Sequence, residues 1–291
     1  MGKQQHIAIL GAGPGGYVAA IRAAQLGARV TVIENQALGG VCLNWGCIPS
    51  KALLAVVELG DKVKKAADFG LTVDGPVGYD PVRMVARKNK VVEGLVKGIA
   101  TLFKLWNIEH IEGTGELLDA KSLRVVKRDG TETTVQADAV VIGTGSSWPN
   151  LPLFPVDGRQ IITSKEALDL GSIPKSLLVV GGGVEGCEFA SLYSGLGTKV
   201  TLVEMMPQIL PLEDEEIAAF MARELKKRGV ELSVGTTVEK VDRQPGVLHA
   251  TLKDGTKVKC CATIPIPSVI ASLGEVICAN CPSTRISPSS A

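Results

Sequence analysis

The chain of 291 residues has little of what would mark several classes of protein. Its formal net charge is only +1, without the basic footprint of a nucleic-acid or membrane-surface protein. Its start has no apolar signal core, and the uncharged run Cys260 to Gly274 is too short to span a bilayer. His6, His110 and His249, the three histidines, lack the spacing of metal ligands. We therefore expect a cytoplasmic protein that binds no metal, no nucleic acid and no membrane.

Glycine is abundant, with 33 residues, and 45% of the chain is hydrophobic. This composition suits compact α/β units with many tight strand-to-helix turns, and the length suits two domains. Near the start, the apolar run Ile7 to Leu10 leads into a G-x-G-x-x-G pattern made by Gly11, Gly13 and Gly16. A helix and a second strand follow, and that strand stops at Glu34. The order strand, glycine turn, helix, strand and acid is typical of dinucleotide binding.

Each glycine of this pattern, and its acid, is needed for a physical reason. Gly11 allows the turn, Gly13 lets a pyrophosphate approach the backbone, and Gly16 lets the helix pack closely on the sheet. The start of the helix offers amide donors to the phosphates. Glu34 can accept a hydrogen bond from a ribose hydroxyl.

The pattern occurs a second time. Gly181, Gly183 and Gly186 form the second turn, and Glu204 ends its second strand. Two dinucleotide sites in one chain suggest two cofactors that exchange electrons. Glu204 favours NAD over NADP, because a carboxylate would repel a 2′-phosphate. Between the two turns the pattern predicts a long helix from Pro81 to Trp106, then alternating strands of a β-meander between residues 108 and 137.

A pair of cysteines is expected to be catalytic or metal-binding in a reducing compartment, where structural disulfides are rare. Cys42 and Cys47 lie five residues apart. In a regular α-helix this spacing exceeds the roughly 7 Å between Cα atoms that a disulfide can bridge. A bond therefore requires a distorted turn, which Gly46 and Pro49 make plausible. From the spacing alone, two unrelated buried cysteines are an open alternative.

The segment Gly39 to Lys51, reading Gly-Gly-Val-Cys-Leu-Asn-Trp-Gly-Cys-Ile-Pro-Ser-Lys, resembles the redox-active segment of the class I pyridine nucleotide-disulfide oxidoreductases. The dihydrolipoamide dehydrogenases are the most similar branch. The resemblance implies tandem Rossmann-like domains with antiparallel meander insertions, FAD in residues 1–148 and NAD in residues 149–259. It also implies a redox-active Cys42–Cys47 disulfide that takes electrons from a small or lipoyl-domain dithiol and passes them through FAD to NAD.

The resemblance assigns roles to further residues. Cys42 would be the interchange thiol, Cys47 the thiol next to the flavin, and Lys51, held by Glu188, would stabilise charge near the flavin. The strand Ala139 to Ile142, expected to be buried, leads into a second flavin contact. The implied cofactor contacts beyond the two glycine turns and their acids are Gly40, Lys51, Gly115, Thr144, Gly145 and Ser146.

The sequence departs from this family in two places. Glu185 stands where the family usually has an apolar residue, and a carboxylate there could weaken nucleotide binding. From Cys260 onward the pattern is lost, and we expect an irregular tail over residues 260–291, in which Pro265 and Pro267 could not sit in a central strand. Cys278 and Cys281 have the spacing of half a zinc site, without a convincing second half.

The resemblance also implies a C-terminal dimerisation domain with an acid/base pair, and we expect this chain to be truncated before it. The family forms homodimers, so a dimer is expected by resemblance, while a truncated chain would have little lipoamide turnover. Two alternatives stay open: a mercuric or other disulfide reductase of the same family, and a non-catalytic remnant that binds dinucleotides at most.

Overall fold

Two sheets with parallel strands at their centres organise the chain, for which the computed structural model describes residues 3–149 and 151–266. The described residues form two compact units. The first contains residues 3–48 and 90–147, and the second contains residues 49–89 and 148–266. Residues 49–89, which the sequence analysis placed in the first domain, instead pack with the second unit, because apolar side chains such as Leu53 and Val57 join its core.

The sheet of the first unit is parallel at one end and antiparallel at the other. Its order is β5-β4-β3-β2-β1-β6, with parallel pairing from β6 through β1 and β2 to β3, and antiparallel pairing from β3 to β5. The strands are β1 (His6–Leu10), β2 (Arg29–Glu34), β3 (Glu109–Leu117), β4 (Ser122–Lys127), β5 (Glu132–Gln136) and β6 (Ala139–Ile142). The predicted Rossmann-like sheet with a meander insertion is confirmed.

The first half of the chain also contains four helices and a short 3-10 turn. The helices are α1 (Pro14–Gln25), α2 (Gly40–Trp45), α3 (Cys47–Lys64) and α4 (Pro81–Leu105), and the 3-10 turn is Ala66–Phe69. Strand β1 alternates between two apolar cores: Ile9 faces the helices with Val32 and Phe103, whereas Ala8 and Leu10 face the meander. This period of two buries both faces of the sheet.

The second unit repeats the design. Its parallel sheet has the order β13-β7-β8-β9, and a separate antiparallel sheet has the order β10-β11-β12. Its further helices are α5 (Ser164–Ala167), α6 (Val184–Gly195) and α7 (Glu215–Lys227). Its strands are β7 (Ser176–Val180), β8 (Lys199–Glu204), β9 (Glu231–Val234), β10 (Val238–Gln244), β11 (Val247–Leu252), β12 (Lys257–Cys260) and β13 (Ala262–Pro265).

The prediction of an irregular tail from Cys260 was wrong at its start. Cys260 ends β12 and is buried, and Ala262–Pro265 form β13, which pairs in parallel with β7. Pro265 is tolerated because it is the last residue of a strand that has β7 as its one neighbour among the described strands. The rest of that prediction, with Cys278 and Cys281, lies outside the described residues.

One helical stretch, Gly40–Lys64, is long and apolar enough to cross a membrane by length and composition, with a mean hydropathy of 1.4. Core helices of globular proteins pass the same test. Here the stretch is interrupted between α2 and α3, and Leu53 and Val57 of α3 are almost completely buried in the core of the second unit. Core packing thus accounts for the apolar residues on one side of the stretch, since 33% of its apolar window is buried.

Candidate redox and nucleotide-binding site

The structure contains a disulfide between Cys42 and Cys47, with Cα atoms 4.8 Å apart. Cys42 lies in α2 and Cys47 is the first residue of α3, so the helix is interrupted between them at Gly46. A Cβ at Gly46 would lie 3.1 Å from the Cα of Cys42, so the missing side chain permits this close approach. Pro49 sits in the first turn of α3, where its missing N–H costs no internal hydrogen bond. The distortion predicted for a disulfide at this spacing is confirmed.

The helix with Cys42 begins directly against the first glycine turn. Gly39 and Gly40 both have left-handed backbone, with φ of 92° and 59°. The amide of Gly39 donates to the carbonyl of Ala12 at 2.8 Å, and a Cβ on Gly40 would lie 2.6 Å from the Cα of Gly13. Only glycine fits both requirements at Gly40. The double glycine thus anchors the disulfide segment to the turn that was predicted to bind a dinucleotide.

The first turn is held by its glycines and its acid. Gly11 has φ of 99°, and a Cβ on Gly16 would lie 1.9 Å from the carbonyl oxygen of Gly11. The carboxylate of Glu34 accepts hydrogen bonds from the amides of Ala12, at 2.8 Å, and Gln36, at 2.7 Å. Each carboxylate oxygen has further acceptor capacity, so Glu34 can both fix the turn and accept from a ribose hydroxyl.

The second turn repeats these contacts. A Cβ on Gly186 would lie 1.9 Å from the carbonyl oxygen of Gly181. Glu204 accepts from the amides of Gly182, at 2.6 Å, and Met206, at 2.8 Å. Glu204 is only 1% exposed, however. In this structure its carboxylate therefore ties the turn together, and its contact with a ribose stays a prediction.

Both helices that follow the glycine turns begin without a side-chain cap. Gly13 and Gly183 are the N-caps of α1 and α6, both in extended backbone, and neither start has a capping side chain. In contrast, Thr163 caps α5 and Asp214 caps α7 through their side chains. The first amides of a helix have no partner within the helix, and an anion can satisfy them. The starts of α1 and α6 therefore fit the pyrophosphate of a dinucleotide.

Lys51 and Glu188 form the ion pair that the resemblance implied. Glu188, on the second turn of α6, also accepts a hydrogen bond from the hydroxyl of Ser50 at 3.0 Å. The side chain of Lys51 is 56% exposed and that of Glu188 is 22% exposed. The lysine therefore reaches its partner from the surface of α3 and is held there by a largely buried carboxylate.

The positions of the other predicted flavin contacts, Gly115 and residues 144–146, do not by themselves indicate a cofactor. A Cβ on Gly115 would lie 2.4 Å from Cδ1 of Leu10, so a larger residue there would have to displace the side chain of Leu10. Thr144, Gly145 and Ser146 follow β6 and are exposed. The expectation that β6 is a buried strand was wrong, because β6 is the last of the described strands in its sheet and its residues are mostly exposed.

The sequence analysis missed two serines near these carboxylates: Ser50, which donates to Glu188, and Ser164, which lies near Glu185. Ser50 directly precedes Lys51 in the motif, and this position could have indicated that its hydroxyl lies near Glu188. Burial raises the pKa of the carboxyl group of Glu185, and the neighbouring hydroxyl of Ser164 lowers it in part. Ser164 belongs to a different element, and no local pattern connects it with Glu185.

Two of the other described cysteines, Cys187 and Cys260, are buried thiols that resist ionisation. Burial raises the pKa of Cys187 to about 12, and the negative charges of Glu204 and Glu188 add to this effect. Burial likewise raises the pKa of Cys260 to about 12. Cys187 is 1% exposed, as expected for a small buried hydrophobe. Within residues 3–149 and 151–266, no group of three or more His, Cys, Asp or Glu side chains is arranged to hold a metal ion.

Comparison with known proteins agrees with the geometry. The family model for pyridine nucleotide-disulphide oxidoreductases matches residues 5–276, so the chain belongs to this family of FAD- and NAD(P)-binding disulfide oxidoreductases. Within the family it is related to dihydrolipoyl dehydrogenases. It is 42% identical to that of Bacillus subtilis over 238 residues, which are 81% of this chain and 52% of the relative. It is also 42% identical to that of Acholeplasma laidlawii over 246 residues, which are 83% of this chain and 72% of the relative.

Solved structures show the same fold. LpdA from Mycobacterium tuberculosis superposes with a TM-score of 0.82 at 30% identity, covering 90% of this chain and 58% of that one. The HOCl-induced flavoprotein disulfide reductase RclA from Escherichia coli gives a TM-score of 0.73 at 27% identity, covering 89% and 55%. The chain thus spans about half the length of most of these relatives. The predicted family and fold class are confirmed.

Proposed function

We propose that the chain is a dihydrolipoyl-dehydrogenase-type flavoprotein, which moves electrons from a dithiol through the Cys42–Cys47 disulfide and FAD to NAD. The observation that carries this proposal is the anchoring of the disulfide segment on the first glycine turn. Gly40 contacts Gly13 directly, so any dinucleotide bound at the start of α1 lies beside α2 and its cysteine. A disulfide that served only as a staple would not require this position.

The two turns would hold the two cofactors. FAD would lie on Gly11, Gly13 and Gly16, with Glu34 on its ribose, while Thr144, Gly145 and Ser146 are proposed as its second contact. NAD would lie on Gly181, Gly183 and Gly186, with Glu204 as its acid. When bound, FAD supplies the two-electron exchange between thiols and a nicotinamide.

The protein's own part in the reaction is thiol exchange. A substrate thiolate attacks the sulfur of Cys42, the S–S bond breaks, and Cys47 leaves as a thiolate. The second substrate thiol loses its proton to solvent, and its thiolate then attacks the substrate's own sulfur in the mixed disulfide with Cys42. This step releases Cys42 as a thiolate and the substrate as a disulfide, so the two electrons now reside on the cysteine pair.

Lys51 would contribute a fixed positive charge. Lys51 follows Cys47 by four residues on α3, and its ammonium group is held by Glu188. A lysine held in this way keeps its charge at a defined position instead of sampling many rotamers. We propose that it stabilises negative charge that develops at the flavin during reduction.

The dithiol exchange is tested on purified protein reconstituted with FAD. We expect a flavin absorption band that stays with the protein through desalting, and two titratable thiols that appear after anaerobic addition of dihydrolipoamide. Cys42→Ser and Cys47→Ser should keep the bound flavin and lose the dithiol-dependent thiols. Cys187→Ser is the matched control, because this buried thiol lies outside the disulfide. Unchanged thiol counts in the wild-type protein would refute the exchange.

A second candidate is another disulfide reductase of the same family, which the likeness to RclA favours. The two differ in substrate, so the comparison of dihydrolipoamide with other disulfides and with mercuric ion separates them. A lipoyl domain as partner, a homodimer and a cytoplasmic location stay predictions. A chain that binds no flavin would support the remaining alternative, a non-catalytic remnant.

A further inference from the structure

Ser50 is a buried polar residue that the proposed reaction leaves without a role. It lies at the start of α3, three residues after Cys47 and directly before Lys51. Only 6% of the residue is exposed, although serine is usually a surface residue. A hydroxyl group that has lost its contact with water needs a partner within the protein. The identity of that partner therefore indicates what the side chain does.

The hydroxyl of Ser50 donates to the carboxylate that also holds Lys51. It bonds Oε2 of Glu188 at 3.0 Å, and the ammonium group of Lys51 pairs with Oε1. Consecutive residues of α3 thus supply one donor to each oxygen of a single carboxylate on α6. The terminal torsion of a glutamate is broad when only one oxygen is engaged. Donors on both oxygens fix the plane of the carboxylate as well as its position.

The three members of this network differ in their freedom to move. The side chains of Lys51 and Glu188 are 56% and 22% exposed, whereas Ser50 is almost completely buried. An exposed ion pair by itself contributes little, and it competes with the many rotamers of a lysine. Ser50 has a short side chain enclosed by protein, so little conformational freedom is lost when its hydroxyl bonds Glu188. The order of the ion pair therefore depends on the serine.

We propose that Ser50 is a positioning residue of the redox site. Its hydroxyl group fixes the carboxylate of Glu188, and the carboxylate in turn keeps the ammonium group of Lys51 at one place. Without this hydrogen bond the carboxylate rotates more freely, and the lysine samples further positions in solvent. The inference rests on the proposed function, in which the charge of Lys51 stabilises the reduced flavin.

The first test measures how firmly Lys51 is held, without any cofactor. The chain is treated briefly with acetic anhydride, and mass spectrometry gives the acetylated fraction of Lys51, because an ammonium group held by a carboxylate is shielded from acylation. Ser50→Ala should raise the labelling rate by about three- to tenfold, the net contribution of one hydrogen bond, and Glu188→Gln sets the upper limit. Ser194→Ala is the matched control, because its hydroxyl donates to a backbone carbonyl within the same helix α6. Unchanged labelling in Ser50→Ala, or an equal rise in Ser194→Ala, would overturn the inference.

The second test measures the effect of this position on the flavin. In a Cys47→Ser background, where no disulfide takes up electrons, the FAD-loaded protein is equilibrated anaerobically with a redox dye of known potential. Ser50→Ala should lower the ratio of reduced to oxidised flavin at least about twofold, in the same direction as Lys51→Met but by a smaller factor. Ser194→Ala should leave the ratio unchanged.

The two tests separate the inference from the proposed function. If Lys51→Met lowers the flavin ratio and Ser50→Ala does not, the positioning role is refuted while the proposed function stands. If Lys51→Met leaves the ratio unchanged, or if the chain binds no FAD, the proposed role of Lys51 fails and the inference fails with it.

Discussion

Replacing Gly186 with alanine should destabilise the second unit, whereas the same change three residues earlier should not. The new Cβ of Gly186→Ala would lie 1.9 Å from the carbonyl oxygen of Gly181 and 3.0 Å from its carbon. Both atoms belong to the backbone, so no side-chain rotation relieves the clash. Nothing lies within 4 Å of the Cβ of Gly183→Ala, whose φ of −68° suits any residue.

The magnitude follows from the displacement that Gly186→Ala requires. Carbon and oxygen normally approach no closer than roughly 3.3 Å, so α6 must move away from its turn by about 1.4 Å. A displacement of this size is comparable to the one that an extra methyl group causes in a well-packed core. Such changes cost about 1–3 kcal/mol for side-chain clashes, and we expect about 3 kcal/mol here because the backbone must move. For a unit of this size that corresponds to a fall in Tm of roughly 6 to 12 °C.

The assay is thermal unfolding followed by far-UV circular dichroism for both variants. Gly183→Ala should unfold within about 2 °C of the wild-type protein, because the new methyl group contacts nothing in the folded chain. A fall of equal size in both variants, or an unchanged Tm for Gly186→Ala, would show that the close packing of α6 on the second turn is described wrongly.

Three further outcomes are expected. Gly183→Ala should weaken ADP-ribose binding at least about tenfold while folding normally, because its Cβ obstructs the backbone surface that a pyrophosphate approaches; equal affinity would contradict the predicted site. Asp169→Asn should lower the free energy of unfolding by about 2–4 kcal/mol in a denaturant titration, since the buried ammonium of Lys88 loses its partner. The double variant with Lys88→Met should recover most of this stability. An unchanged free energy of unfolding in Asp169→Asn would contradict the prediction. Thr163→Ala should cost about 1 kcal/mol in the same titration, because α5 loses its capping box with Glu166, and an unchanged midpoint would speak against that cap.

The two glycine turns were predictable because their requirements are local. A positive φ at Gly11 and the contact between Gly16 and Gly11 are set by residues a few positions apart, and the apolar periodicity on either side announces strand and helix. The pair of Lys51 and Glu188 is separated by 137 positions, so only the resemblance to a known family pointed to it.

What was missed depends on packing between distant segments. The pairing of β13 with β7 is favoured by the side chains of Ala262 and Ile264, which are buried in the core of the second unit even though Pro265 follows them. The exposure of β6 likewise depends on which strand lies next to it in the sheet. The contact between Glu185 and Ser164 joins two helices that the sequence pattern does not connect.

The central claim is that the cysteine pair exchanges electrons with a nicotinamide nucleotide through a bound flavin. Anaerobic titration of the FAD-loaded protein with NADH, followed by counting of alkylated cysteines by mass spectrometry, tests it directly. The account predicts that NADH makes Cys42 and Cys47 reactive to alkylation, and that omission of FAD abolishes this effect. If FAD binds and NADH is present in excess, yet both cysteines stay unreactive, the account is contradicted.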